Sequence, residues 1–386
     1  MYTKKEDIEK WLSEMYITSY TIRENNIVDV YEDVALTGNI KELPVQFGKI
    51  EGSFYCQRCK LTTLKGCPYY VNGDFLCFEN KLTSLEYAPE YVKSNFICYE
   101  NLLKNLKGCP NKIYGNFNCA ANSLETLDYC PEFIGENFDC SYNLLKSLKG
   151  IPDIIYGDLK CCSNKLTNLE HGPKEVKGLF SCRFNLLTSL EYSPKVGKSF
   201  LCDSNQLTSL YGSPEEIYGS FDCPKNCLTS LIGGPKRVHG SYSCVKNKIE
   251  SLEGFPEYLA ESFYCSRNKL KNLKHINSHI HGSLSCDLNL LETFEYFPQI
   301  IKENLDIMNN NINFETQMSN FNTSIGKYIF SDYIIDSHGL NNDYIYKINT
   351  DLFLSKVTEI KVLHEKEILL SDIYKAKDNN IHKKRL

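Results

Sequence analysis

Eighteen cysteines and eight histidines are the residues of this 386-residue chain best suited to hold a metal or carry thiol chemistry. Cys56-Gln57-Arg58-Cys59, with Cys67 and Cys77 nearby, has the C-x-x-C spacing of a zinc or redox site. His275, His279 and His281, followed by Cys286, place three imidazoles and a thiol in one short stretch. Zinc asks for about four such donors converging on one point. No G-x-S-x-G, Walker loop or H-E-x-x-H occurs anywhere in the chain. The cysteine count alone leaves disulfides, metal and packing open. Position decides between them.

Twelve of the cysteines, from Cys56, Cys77 and Cys98 on to Cys286, recur every 21 residues, with one interval of 20 between Cys182 and Cys202. Three residues after each stands asparagine, from Asn80 to Asn289, with Cys59 in that place in the first copy. A leucine follows two residues on (Leu61 to Leu291, Ile249 the one β-branched variant), then a second (Leu64 to Leu273, then Phe294). Proline comes next, from Pro68 to Pro298, missed only at Asn277. Two residues before each cysteine is a large apolar residue, usually phenylalanine, as at Phe54, Phe75, Phe96 and Phe117. The unit reads F-x-C-x-x-N-x-L-x-x-L-x-x-x-P-x-x-V-x-G-x.

Each position has a physical reading. F-x-C alternates with period two, so both side chains point inward from one short strand. Asparagine carries donors and an acceptor that can satisfy a neighbouring coil's backbone, so stacked copies form a ladder. Proline fixes an extended return anchored by Val71, Val92, Ile113 and Ile134. Glycine at 73, 115, 157, 178, 219, 240 and 282 is expected to let the chain turn into the next strand. The interval is too short for a full helix on the outer side.

The column also settles what the cysteines are expected to do. In-register parallel strands hold Cβ atoms about 4.8 Å apart, beyond the roughly 3.8 Å a disulfide prefers. A buried free thiol behaves as a small hydrophobe. The column is therefore predicted to be reduced, which implies an intracellular, cytoplasmic compartment. Cys56 belongs to the column and Cys59 replaces a ladder asparagine, which removes the zinc reading. Cys67, Cys109 and Cys130 precede the proline, a place also held by Ala88, Gly172 and Ser193, where small size explains them. His279 and His281 straddle an inward Ile280 and should point outward. No metal, no cofactor and no catalysis are expected.

The repeat resembles that of leucine-rich-repeat proteins, whose usual core is L-x-x-L-x-L-x-x-N-x-L, with phenylalanine and cysteine in two strand positions commonly held by leucine. The N-x-L-T-S-L stretches at Asn80 to Leu85, Asn205 to Leu210 and Asn226 to Leu231 are similar to those of bacterial secreted leucine-rich-repeat effectors. The block before the first repeat, with Tyr20-Thr21-Ile22, Val28-Asp29-Val30 and Leu43-Pro44-Val45-Gln46-Phe47-Gly48, resembles repeat proteins of large tailed phages and other large DNA viruses. The resemblance implies a horseshoe solenoid with a parallel concave sheet, an extended or 3-10 convex side, and protein recognition on the concave face. It also implies a viral or effector-like host-interaction protein. Some effectors of this type append a ubiquitin-ligase domain with a catalytic cysteine, and the cysteine-free residues 316–386 are too short to be one.

About thirteen repeats over residues 34–315 leave 1–33 as an N-terminal cap and 316–386 as a C-terminal cap with a basic tail. Residues 4–15 read as an amphipathic helix through Ile8, Trp11, Leu12 and Tyr16, and 27–34 alternates like a strand that pairs with the first repeat. Phe353, Val357, Ile360 and Leu363 suggest a second helix over 351–377. Net charge is −5 with an isoelectric point near 6.0, which argues against binding nucleic acid. No apolar run is long enough to span a membrane, and the N-terminal stretch lacks a signal peptide's apolar centre.

What remains for function is the outward part of the strand face. Early copies present Tyr55, Leu76, Phe78, Ile97 and Tyr99, middle copies Tyr142, Lys160, Arg183 and Phe184, and late copies the column Lys225, Lys246 and Arg267. The five early residues on adjacent strands make an apolar patch of the kind proteins use for recognition. The small polar residues before each phenylalanine (Ser53, Asp74, Asn95, Asn116) look like a smooth strip suited to close approach. The expectation is a monomeric, non-enzymatic module binding a protein partner, with a structural or assembly component of a virion or scaffold as the alternative.

Overall fold

The alternation of phenylalanine and cysteine about one outward residue makes each coil begin with a short strand. The computed structural model describes residues 1–313, 317, 321, 323–327, 329 and 330, in two units, Met1–Glu261 and Ser262 onward. In the first unit Phe75–Leu76 pairs in parallel with Phe54–Tyr55 and with Phe96–Ile97, phenylalanine opposite phenylalanine. The register repeats coil by coil to Tyr242–Ser243. The column cysteines' amides join the ladder, as from Cys77 N to Ile97 O at 2.8 Å and Cys98 N to Asn118 O at 2.8 Å. The returns pair as well: Tyr70–Val71, Tyr91–Val92, Lys112–Ile113 and Phe133–Ile134 are consecutive parallel strands, where the sequence suggested only extended chain.

Between the two strand sets lies a dry core. Phe75, Cys77, Leu82, Leu85 and Val92 are all fully buried, and the Phe75 and Phe96 rings meet at 5.1 Å between centroids. Burying such a side chain is worth about 1.5–3 kcal/mol. A coil finds that burial only against its neighbours, so stacking holds the fold together. The second unit repeats the pattern with Phe263–Tyr264, Leu284–Ser285, Leu305–Asp306 and Ile329–Phe330. These ladders run past residue 315, where the sequence reading ended the solenoid, because Ile325 and Ile329 supply the buried positions without cysteine or proline. The helix read over 351–377 and the basic tail lie outside the described residues.

At the start, α1 (Lys5–Glu14) carries Glu6 and Asp7 in its first turn, where the helix dipole favours them, and buries Ile8, Trp11 and Leu12. Trp11 meets Phe47 at 6.1 Å and Phe47 meets Phe54 at 5.2 Å, so the helix closes the open end of the phenylalanine column. The segment 27–34 is not one strand. β1 (Tyr20–Ile22) pairs antiparallel with β2 (Ile27–Val30), while β3 (Val34–Ala35) pairs with Phe54–Tyr55. β2 also pairs in parallel with β4 (Gln46–Ile50). The break is held by Glu32, whose carboxylate accepts from Thr18 N at 2.6 Å and Ser19 N at 2.8 Å.

The glycines divide differently from expectation. Gly73, Gly115, Gly157, Gly178, Gly219 and Gly240 do not adopt the left-handed conformation; a Cβ at Gly115 would sit 2.7 Å from Asn95 Oδ1. They are glycine for lack of room. The left-handed turn lies two residues after the second leucine, at Gly66, Gly108, Gly150, Gly212, Gly233 and Gly254. Its hydrogen bond, such as Cys109 N to Leu106 O at 2.9 Å, makes it a type II turn. Tyr87, Tyr129, His171, Tyr192 and His275 take the same conformation without being glycine. The three histidines therefore belong to repeated positions: His275 to this turn, His279 and His281 to either side of buried Ile280, all three exposed.

Candidate functional site

The face available for recognition is defined by what the two hydrogen-bond ladders leave over. The first is the asparagine ladder. Asn80 donates through Nδ2 to Cys56 O at 2.9 Å and Cys77 O at 3.0 Å, and its Oδ1 accepts from Leu61 N at 2.9 Å. The same set recurs at Asn101, Asn122, Asn143, Asn164 and Asn185. The second was read from sequence as a smooth surface strip. In the structure Asn95 Oδ1 accepts from Asn116 N at 2.8 Å, Asn116 Oδ1 from Asn137 N at 3.1 Å, and Asn137 Oδ1 from Asp158 N at 2.7 Å. Those small polar residues cap the next coil's turn. They explain the missing Cβ of the glycine beside them.

Cysteine suits its column because it is small and its thiol donates weakly to the next strand, as from Cys202 Sγ to Asp222 O at 3.3 Å and Cys223 Sγ to Ser243 O at 3.3 Å. All eighteen thiols are free, and burial pushes those of Cys77, Cys119 and Cys161 well above the ordinary value. In the C-x-x-C pair, Cys59 is buried and its Sγ reaches Gln57 O at 3.3 Å; burial pushes its thiol up to about 11. Among the described residues no group of histidine, cysteine and carboxylate side chains is arranged to hold a metal.

Residues outside the ladders carry the surface. Tyr55, Leu76 and Ile97 stand in register on consecutive strands, half-buried against one another. Beside them Phe78 and Tyr99 stack at 4.5 Å with an interplanar angle of 11°. The Arg58 guanidinium lies 5.8 Å from the Phe78 ring centre and bonds both oxygens of Glu79, at 2.8 and 2.6 Å. Those hydrogen bonds hold the Glu79 carboxyl below the usual carboxylate range. Desolvation, then the charges of Glu79 and Glu100, pushes the Tyr99 phenol up. The structure thus joins all five early residues into one aromatic and aliphatic patch edged by charge. The ring contact of α1 is with Phe47, at the end of the core.

The middle residues assemble in part. Arg183 pairs with buried Asp203 and lies 5.8 Å from the Phe184 ring centre, so its charge is already engaged. Desolvation and the nearby Asp203 push the Asp222 carboxyl up. Tyr142 and Phe184 are 66% and 50% exposed, and Lys160 is exposed without an ion pair among the described residues. Lys225 and Lys246 are exposed, and each occupies a left-handed position, as do Arg58, Glu79, Tyr142 and Phe184 in their own coils. Arg267 repeats this in the second unit.

Sequence reading missed a second row. On the return strands Tyr70 stacks on Tyr91 at 4.8 Å, followed by Tyr114, Phe133 and Tyr156 at 5.8, 5.7 and 5.5 Å. The signal was present in the 26 tyrosines, but these rings fall sometimes on the residue before and sometimes on the residue after the return's valine or isoleucine, which hides the column. Because each ring packs on its neighbours, stacked for Tyr70–Tyr91 and tilted in the pairs that follow, the row is chiefly a packing ladder.

A stack of parallel coils, each with F-x-C on its strand, asparagine closing the turn and two leucines beneath, is a leucine-rich-repeat solenoid, with about 14 turns among the described residues. No protein-family model and no curated protein sequence matches the chain. Among solved structures, it is similar to the leucine-rich effector protein YopM from Yersinia pestis, at TM-score 0.46 and 17% identity over 78% of this chain and 88% of that one. It is also similar to the LRIM1/APL1C complex, at TM-score 0.49 and 14% identity over 95% of this chain and 80% of that one. A third is the leucine-rich repeat domain of APL1B, at TM-score 0.39 and 13% identity over 74% and 88% of the two chains.

Proposed function

We propose that this chain is a non-enzymatic recognition module that binds a partner protein on its strand face. The observation that carries the reading is the patch of Tyr55, Leu76 and Ile97 with the stacked Phe78–Tyr99 pair and its Arg58–Glu79 rim. A rigid aromatic pair beside aliphatic side chains, edged by an ion pair, has the composition of an interface centre. The module acts as a monomer in a reducing, intracellular compartment, consistent with a core column of unpaired thiols. Its partner is a protein rather than a nucleic acid, given a net charge of −5. No helix among the described residues is long and apolar enough to cross a membrane. The resemblance to effector and viral repeat proteins supports a host-interaction role.

The test is capture from lysate of the native host with the intact protein and with Phe78→Ala/Tyr99→Ala. Loss of an aromatic anchor costs on the order of tenfold or more in affinity, so a specific partner should disappear from the variant's capture. Unchanged capture of every partner refutes the patch. Co-purification with assembled particles would favour the structural alternative.

A further inference from the structure

A second set of exposed apolar residues lies beside the first, at the rim where the strand turns. Leu102, Leu144 and Leu186 each follow the buried ladder asparagine of their coil and are 53%, 38% and 42% exposed. Tyr142 and Phe184 stand just before the same asparagines in the latter two coils, at 66% and 50%. The coils between present Ala121 with Ser123, and Ser163 with Lys165, at the same two places. The apolar side chains therefore recur every second coil.

Their spacing is fixed by backbone. Leu102 N donates to Leu82 O, Leu144 N to Leu124 O and Leu186 N to Leu166 O, each at 2.9 Å, and the intervening Ser123 and Lys165 make the same bond to Leu103 and Leu145. The rim position is thus rung upon rung of one ladder, with rungs about 4.8 Å apart. Two rungs are about 9.6 Å. Two turns of α-helix, from residue i to i+7, advance about 10.5 Å. A helix lying along the rim would set one apolar side chain against each exposed pair. An extended strand would also present side chains on both faces, leaving half of them without a seat.

Charge selects the kind of helix. Lys146, Lys160 and Lys165 are exposed around these pairs and make no ion pair among the described residues, although Asp139 stands in register with Lys160 and Glu125 one coil before Lys146. Arg183, by contrast, is held by Asp203. Unpaired lysines beside apolar seats ask for carboxylates on the partner.

We propose that the rim from Leu102 to Leu186 seats an acidic amphipathic α-helix of a partner protein, with apolar residues seven apart meeting Tyr142/Leu144 and Phe184/Leu186 and carboxylates meeting Lys146, Lys160 and Lys165. This deepens the recognition reading above and rests on it for the claim that the partner is a protein. It places the partner's helix on different residues from the Phe78–Tyr99 patch.

The probe is a designed, stapled helical peptide of about 18 residues with leucine at i, i+7 and i+14 and glutamate on the flanks, labelled for fluorescence anisotropy with the full-length chain. Three controls accompany it: a scramble of the same composition, the same helix with lysine for glutamate, and a proline-rich extended peptide with the same charge. Saturable binding of the acidic helix is expected, weakened at least tenfold by Leu144→Glu/Leu186→Glu and by the lysine-bearing version. All these positions are solvent-facing, and unchanged circular dichroism confirms that the variant folds. Binding of the scramble or the extended peptide as tight as that of the helix overturns the proposal. So does no saturable binding up to about millimolar, or binding indifferent to the double variant. Concentration-dependent self-association abolished by the same variant would assign the rim to a second copy instead, and also overturns it. Phe78→Ala/Tyr99→Ala separates the two readings: if it abolishes lysate capture while the peptide arms fail, recognition stands and the helix does not.

Discussion

Removing one asparagine from the ladder should expose how the turn is held. Asn143 is 5% exposed. Its Nδ2 donates to Cys119 O, Cys140 O and Ser141 O, each at 3.1 Å, and its Oδ1 accepts from Leu124 N at 2.9 Å. The loss in Asn143→Ala is uneven. Cys119 O keeps a second donor in Asn122 at 3.2 Å, and Cys140 O keeps one in Asn164 at 3.1 Å. The Leu124 amide loses its acceptor in a place closed to water. An orphaned buried donor costs about 1–3 kcal/mol, and the net worth of the other bonds adds about 1. The sum is about 2–4 kcal/mol for local opening.

Because a solenoid opens piecewise, a single unfolding midpoint would blur this. Hydrogen exchange at the Leu124 amide reads it directly. Exchange should quicken about 30- to 900-fold, while the equivalent Leu187 amide, bonded to Asn205 Oδ1 at 3.1 Å, keeps its rate. Asn143→Asp should do no better, since it keeps the acceptor but turns a carboxylate oxygen toward three carbonyls. Leu124 exchange within threefold of the parent in Asn143→Ala would refute the ladder as the holder of the turn.

Tyr129, at φ 65° in the type II turn, should gain about 1 kcal/mol in thermal or chemical stability as Tyr129→Gly, because an L-residue pays about that to be left-handed. Gly108→Ala should lose at least as much, since φ is 93° and the new Cβ would meet the Leu85 and Glu86 backbone; opposite signs would break the turn assignment. In native protein, alkylation should spare the buried column and reach at most Cys109, Cys130, Cys162 and Cys227, the four cysteines that are not fully buried. Mass mapping that finds Cys98 or Cys161 modified at the rate of free cysteine contradicts this. Glu79 should titrate below its ordinary value of 4.5 by carbonyl NMR and move back toward it in Arg58→Ala. Its folded value is depressed, so the pair's contribution is present above the unfolded value and is lost as pH falls through the folded one. An unmoved midpoint would show that the pair is not formed.

The core was legible because one position, one residue type and one interval recurred: Phe75, Cys77, Leu82, Leu85 and Val92 are what the pattern demanded, and all are buried. The asparagine ladder was legible for the same reason, since an amide at a fixed place after a strand has few other uses. Less visible was anything whose residue type varies while its geometry does not. The type II turn is filled by glycine, tyrosine or histidine, so no letter marks it. The turn-capping strip is serine, aspartate or asparagine, and its meaning lies in one accepting oxygen aimed at the next coil. The tyrosine row shifts by two residues between coils yet remains a row, because both flanks of a two-residue strand face outward. Residues 27–34 alternate like one strand and are broken by Glu32 and Asp33, whose carboxylates each seize backbone amides.

The two ladders also decide where specificity can be written. The phenylalanine, cysteine, asparagine, both leucines, the turn residue and the small polar cap are each committed to a neighbouring coil, and a change at any of them is felt as stability. That leaves the residue after phenylalanine, the two after cysteine, the one after asparagine and the flanks of the return. In the first unit the residue after cysteine runs through Gln57, Phe78, Tyr99, Ala120 and Arg183, with Ser141 and Asp203 buried at the same place, and the one after asparagine through Lys81, Leu102, Leu144, Lys165 and Leu186. Variation of that breadth beside an almost invariant frame is what positions outside the packed core permit. A partner that reads this chain must read those columns, and changes confined to them should alter what is bound while leaving the solenoid as stable as before.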